Sequence, residues 1–368
     1  MLNNKALNNR MVANWLFICC IAIFIMVVLG GLTRLTNSGL SIVKWEPLSG
    51  AIPPLSGEKW QEYFDAYKQI PEYQQENKSM TLPEFKGIFW LEYFHRLMGR
   101  AIGMIFLLPL IYFAVKERIR AKDTLKFMVI FALGGLQGFF GWYMVKSGFA
   151  ERTDVSQYRL MLHLGMAFVL YGMIYWTGLD IKHSAERRRN IHPMAGFSVI
   201  VTIMIFFMVL LGALMAGTDA GFIYNTFPLM DGKLIPDNLY KLSPWWANYF
   251  ENITMIQFQH RIFAMLLAVV IFVLAYNIVK RDFDYVGQAI LLVFCVLIQI
   301  GLGISTLYAF GTYANYSYEG LAYHRVFNLP VVIAALHQAN ALVLFTLALN
   351  TSHKLMRESV SERMSYVI

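Results

Sequence analysis

EYFHRLMGRAIGMIFLLPLIYFAV, residues 92–115, reads as a membrane-crossing helix headed by an acid, an imidazole and two guanidinium groups. From Ala101 onward it carries no charge. With its head it has the length of about 20 residues that a hydrocarbon layer requires. Glu92, His95, Arg96 and Arg100 are costly at membrane depth, and ionisable residues retained there mark function by default. What they do depends on what the rest of the chain offers as partners.

The composition settles the setting. Of 368 residues 57% are hydrophobic and only 15% charged, with mean hydropathy +0.49. Eight runs have spanning length, at about 14–33, 92–115, 124–145, 157–179, 196–217, 253–279, 285–308 and 327–350. Lipid cannot satisfy backbone polar groups, so these runs are helices. The expected fold class is an all-α membrane protein of eight transmembrane helices. The first run resembles a signal peptide, but no small-residue cleavage site follows it. The absence of an Arg/Ser-rich transit peptide argues for a bacterial protein or a processed organellar one.

Placing the N-terminus inside leaves 16 Lys/Arg against 8 Asp/Glu on that side, and 15 of each elsewhere. The whole net charge of +8 then lies in short inner segments, where the positive-inside rule holds. Both termini are therefore expected on the cytoplasmic or matrix side. The basic balance reflects topology, with no nucleic-acid partner. Cys19 and Cys20 are adjacent and Cys295 lies in another span, so no disulfide framework is expected.

The spans repeat. His95-Arg96 heads the second and His260-Arg261 the sixth; His163 lies in the fourth and His337 in the eighth. GGLTRLTNSGLS (30–41) matches GALMAGTDAGF (212–222), and LGGLQGFFGW matches LIQIGLGIST in combining Gln with Gly. The reading is two pseudo-symmetric four-helix bundles, 1–190 and 191–368, related by an axis along the membrane normal. The long loops 34–91 and 218–252 lie on the outer side, where they read as lids, with surface helices in the amphipathic EKWQEYFDAYKQIPEY.

Four of eight histidines, His95, His163, His260 and His337, sit in the outer half of spans, His337 deepest at ~15 Å. His183, His192 and His353 read as solvated inner histidines, and His324 falls in the last outer loop. Paired imidazoles on facing helices suit an axially ligated haem iron. The natural pairs are His95 with His163 and His260 with His337. The chief asymmetry is Glu92, one turn before His95, where the second copy has Gln257. Positions i and i+3 share a helix face, so Glu92 is expected to face the same pocket as His95. Gly99 leaves space there for a flat ring. Arg96, Arg100 and Arg261 read either as partners of haem propionates or as snorkelling side chains. Haem-modifying enzyme, di-haem electron-transfer protein and haem carrier all use such histidines; clustering of all four in one half of the bilayer weighs against the second.

The stretches GGLTRLTNSGLS (30–41), MTLPEFKGIFWLEYFHRLMGR (80–100), LQGFFGWYMVKSG (136–148), YRLMLHL (158–164), AGFIYNTFPLM (220–230) and FENITMIQFQHR (250–261), with the last-span histidine, resemble the heme A synthase family, in its mitochondrial and alphaproteobacterial branch. The resemblance implies oxidation of the C8 methyl of haem O to the formyl of haem A by two O2-dependent hydroxylations and a dehydration. It implies a resident haem b on His260 and His337, a substrate-haem site at His95 and His163, and a catalytic carboxylate at Glu92. The partners implied are a haem O synthase as supplier, O2, an unidentified electron donor and the inner-membrane bilayer; a homo-oligomer is compatible with the sequence. One branch carries a cysteine pair in the first outer loop, and this chain has none there.

Overall fold

A computed structural model describes residues 2–46, 49–119, 121–149, 153–184, 191–317 and 328–357. His324 lies outside them. Eleven α-helices occur among the described residues: α1 (Leu2–Leu35), α2 (Gly57–Tyr67), α3 (Pro71–Gln75), α4 (Leu82–Val115), α5 (Ala121–Lys146), α6 (Gln157–Lys182), α7 (Ala195–Gly217), α8 (Asn248–Glu251), α9 (Ile253–Arg281), α10 (Val286–Ser317) and α11 (Leu329–Leu355). Eight are long and apolar enough to cross a membrane: α1, α4, α5, α6, α7, α9, α10 and α11. The described residues hold one isolated bridge, Met230 to Lys233, and no strand.

Four helices, α1, α6, α7 and α11, pack on one another in the middle. Helices α4 and α5 flank α1 and α6, and α9 and α10 flank α7 and α11. The apolar core runs through all eight, from Leu16 and Phe168 to Ile271 and Leu342. Polar groups inside are met across helices: Tyr171 and Thr346 hydroxyls lie 2.7 Å apart, Thr202 and Ser352 3.0 Å, and Gln338 Nε2 donates to the Val27 carbonyl at 2.7 Å. Lipid offers no alternative partner, so such contacts fix the helices against one another.

Helix boundaries differ from the hydropathy reading mainly in α4. It begins at Leu82, three turns earlier than the apolar run. Thr81 and Glu84 form a capping box, and Pro83 occupies the first turn, where no N–H is missed. The extra turns stand clear of the apolar run and carry Phe85 and Phe89, which meet α2 through Phe64 at 5.1 Å and Trp60 at 4.8 Å. The amphipathic segment of the first loop is thus a helix docked on this extension, with Tyr67 and Ile70 completing a second small core. The loop 218–252 is ordered by buried asparagines: Asn248 holds the backbone of Leu242 and Trp245, and Asn252 that of Asn238 and Leu239.

Two histidines expected to be solvated are buried. His192 accepts from the Met194 N–H at 3.0 Å and its own N–H donates to the Leu355 carbonyl, closing the start of α7 on the end of α11. His353 lies 3.2 Å from Asp180 and packs edge-on against Trp176. His353 lies inside the last turn of α11, where Trp176 and Asp180 of α6 cover it.

Glu72 of α3 is buried in the loop-rich face, accepting from the Tyr67 hydroxyl at 3.2 Å and Asn77 Nδ2 at 3.3 Å through Oε1. Burial pushes its carboxyl up to about 8 from 4.5, with Asp154, Glu76 and Glu92 adding to the rise. A carboxyl raised on folding holds its proton more tightly in the folded state, so this contribution to stability is full below about 4.5 and is lost as pH rises towards 8. Glu72→Gln is expected to raise the melting temperature at pH 8 and leave it unchanged at pH 4.5. Thermal unfolding in detergent across that range checks this, and an equal shift at both ends refutes it.

Candidate functional site

Each of the four intramembrane histidines sits near the loop-rich end of its helix, His163, His260 and His337 within the first three turns of α6, α9 and α11. His95 on α4 lies within electrostatic reach of His163, and His260 of His337. No ring is fully exposed and none is sealed in the core. Each faces a glycine of a neighbouring helix. A Cβ on Gly30 of α1 would lie 3.0 Å from His95 Nε2, and one on Gly141 of α5 3.0 Å from His163 Cε1. The corresponding contacts are Gly212 of α7, at 3.7 Å from His260 Cε1, and Gly303 of α10, at 3.0 Å from His337 Cε1. Missing side chains thus let the helix backbones close on the imidazoles. A Cβ on Gly99, read as space for a flat ring, would lie 3.4 Å from the Met26 methyl of α1.

Two glutamines hold two of the rings. Gln137 Nε2 donates to the His163 carbonyl at 3.1 Å and lies 3.3 and 3.5 Å from the two ring nitrogens. Gln299 Nε2 donates to the His337 carbonyl at 3.1 Å and lies 3.2 and 3.3 Å from that ring's nitrogens. The in-plane lone pairs of an imidazole diverge, so one amide nitrogen cannot serve both. Near-equal distances to both nitrogens mean the amide is aligned with neither lone pair. The amide therefore fixes ring orientation through the carbonyl and by contact. His260 Nδ1 is buried without a hydrogen-bond partner.

Glu92 is buried on α4, and both its oxygens are engaged. Oε2 accepts from Ser41 Oγ at 2.7 Å and the Ile42 N–H at 2.8 Å; Oε1 accepts from Arg96 Nε at 2.9 Å and Nη2 at 2.6 Å. The helix register puts Glu92 on the face of His95, yet the carboxylate is turned to the first long loop. Gln257 instead donates to the Tyr224 carbonyl at 3.2 Å, with Oε1 buried and unpartnered. The arginines hold loops as well: Arg96 donates to the Ile42 and Lys44 carbonyls, Arg100 to the Glu46 carbonyl, and Arg261 to the Tyr224 and Thr226 carbonyls. Arg96 keeps only 13% of its side chain exposed, so it points into the protein and does not snorkel.

Arg34, quoted in GGLTRLTNSGLS without a role, reaches across the molecule. Its Nη2 donates to both Asp219 oxygens at 3.2 and 3.1 Å, and its Nη1 to Asn37 Oδ1 at 3.0 Å; Asp154 stands at 3.7 Å. Asn37 and Asp219, at φ 47° and 52°, end the turns after α1 and α7 in the left-handed region that Asn and Asp tolerate. Gln137, Gln299, Ser41 and Arg34 were all missed as site residues. The Gln-plus-Gly repeat was the available signal for the glutamines, because a polar side chain recurring in equivalent apolar spans needs a partner.

The donor set matches a haem better than a lone metal ion. Each pair supplies two imidazoles on facing helices, and no group of three or more His, Cys, Asp or Glu able to hold a metal occurs among the described residues. The glycine-backed rings fit axial ligands of a flat macrocycle. The fold and these sites define a multi-pass helical membrane protein with paired intramembrane imidazoles. Residues 13–313 match the family model of the cytochrome oxidase assembly protein (COX15-CtaA), and the chain belongs to that family. Among its relatives is the heme A synthase of Nitrosomonas eutropha, 47% identical over 361 residues, 96% of each chain. Those of Nitrosospira multiformis and Parvibaculum lavamentivorans are 46% identical over 94% of each chain and 41% identical over 95% of this chain and 96% of theirs.

The glycine contacts yield a paired test. Gly303→Ala places a methyl 3.0 Å from His337 and is expected to lower the haem content of the purified protein. Gly212→Ala, at 3.7 Å from His260, is expected to leave it unchanged. Pyridine haemochrome measurements per polypeptide check both.

Proposed function

We propose that the chain is an enzyme of haem A formation, oxidising the C8 methyl of haem O to a formyl group with O2 and an electron donor. Identity to heme A synthases along nearly the whole chain carries the reading. We further assign 1–190 and 191–368 to two halves of a repeat. In support, Arg96 and Arg261 each hold two carbonyls of a long loop, Gln137 and Gln299 each hold a histidine, and a glycine backs every imidazole. The loop-rich face is assigned to the outside and the termini to the inside, the more basic side.

In this reading His260 and His337 hold a resident haem b, and His95 and His163 take haem O. Bound haem supplies the redox chemistry; the remaining tasks belong to the chain. The glutamines orient His163 and His337. Glu92 is the catalytic carboxylate, with Oε2 as the atom that exchanges a proton through the Ser41 hydroxyl 2.7 Å away. Arg96 keeps the other oxygen in a charged pair and ties the carboxylate to the loop above it. A guanidinium carries five N–H groups; Arg96 gives four to Glu92, Ile42 and Lys44 and keeps one for a propionate, and Arg261 keeps its Nε–H. The unequal pair Glu92 and Gln257 assigns the chemistry to the N-terminal half.

Co-expression with a haem O source and extraction of haems tests the reading. Haem A is expected, and a folded, haem-loaded protein yielding none overturns it in favour of an electron-transfer protein or carrier. Glu92→Ala is expected to cut conversion by at least ~100-fold, in the range of a lost acid–base group, with the haem b spectrum retained. His260→Ala or His337→Ala is expected to remove haem b; unchanged content in either refutes that ligand pair.

A further inference from the structure

The two glutamines that hold His163 and His337 are not themselves held alike. Gln299 Oε1 accepts a 2.7 Å hydrogen bond from Asn340 Nδ2, and that nitrogen also donates to the Cys295 carbonyl at 3.0 Å. Asn340 stands one turn beyond His337 on α11, so Asn340, Gln299 and His337 form a closed clamp between α10 and α11. In the other half Met166 stands three residues beyond His163. A thioether has no hydrogen to donate, and Gln137 Oε1 is buried without a partner. An amide bonded at both ends has one orientation, whereas an amide bonded only through nitrogen can turn and release the ring it abuts.

Resting on the assignment of halves above, we propose that Asn340 makes the C-terminal half retain its haem and that Met166 in the equivalent place makes the N-terminal half exchange its haem. Gln299 and Gln137 are the positioning residues that carry this difference to the imidazoles. The reaction demands it: haem O must enter and haem A leave at each turnover, while the resident haem stays. Glu92 and Gln257 differ in acid–base chemistry and say nothing of residence time, so the two asymmetries serve separate tasks.

The test uses full-length protein, purified in detergent after co-expression with a haem O source and mixed with excess apomyoglobin. Haem b, haem O and haem A are identified by extraction from the acceptor, which gives a loss rate for each site. Asn340→Leu is expected to speed haem b loss about fivefold to tenfold, the effect of one buried hydrogen bond, with haem A loss unchanged. Met166→Asn is expected to slow haem A loss by a similar factor with haem b unaffected. A general loosening of the fold would move both rates together, and that outcome overturns the proposal, as do unchanged rates in both variants. Should Met166→Asn fail to fold, Gln299→Leu and Gln137→Leu decide. The former is expected to speed haem b loss by a larger factor than the latter speeds haem A loss, and equal factors overturn the proposal. Loss of haem b from His95→Ala but not from His260→Ala would instead overturn the assignment of halves, a result separable from any of these rates.

Discussion

A hydrocarbon layer offers no hydrogen-bond partner, so a polar group carried into it is costly unless a neighbouring helix answers it. That constraint organises the molecule. It brings Gln137 to His163 and Gln299 to His337, sets Asn340 on Gln299, and turns Gln338 to the Val27 carbonyl. Because the answering groups lie on different helices, satisfying the imidazoles also fixes the bundle. Site and scaffold are thus held by the same contacts, and a substitution at either registers in both.

The loop-rich face obeys a milder version of the rule. Arg96 and Arg261 turn inward from the span ends and collect carbonyls from the two long loops, while Glu92 takes the Ile42 N–H and the Ser41 hydroxyl. The loops are thereby attached to the helices that carry His95 and His260. Arg96 and Arg261 directly follow those histidines, so each loop anchor sits beside an imidazole in the chain.

How much was legible follows from what kind of signal each feature leaves. Eight spans were readable because hydropathy integrates over twenty residues, and the histidine pairs because equivalent residues recur. The start of α4 at Leu82 was hidden: its first three turns are amphipathic, and only docking of α2 through Phe64 and Trp60 makes them helical structure with a core of its own. His192 and His353 were misread as solvated, since burial at a helix end depends on which neighbour arrives there. The orientation of the Glu92 carboxylate was beyond the helix register, which places a Cβ on a face but leaves three side-chain torsions to tertiary partners. The glutamine clamps announced themselves as a pattern, but their partners lay 26 and 38 positions away.

Arg34 carries a consequence for how such a molecule can arise. It joins Asn37 to Asp219, the corresponding turn residues of the two proposed halves, and the position matching Arg34 after Gly212 is Ala216. Two identical copies associating about an axis would bring a pair of guanidinium groups to that seam, repelling each other with twice the charge that the nearby acids must offset. A duplicated and fused gene escapes this, because one copy can drop its arginine while the other keeps it. In the proposed repeat, Arg34 against Ala216 leaves one guanidinium shared between the two turns, an arrangement that two identical copies could not make.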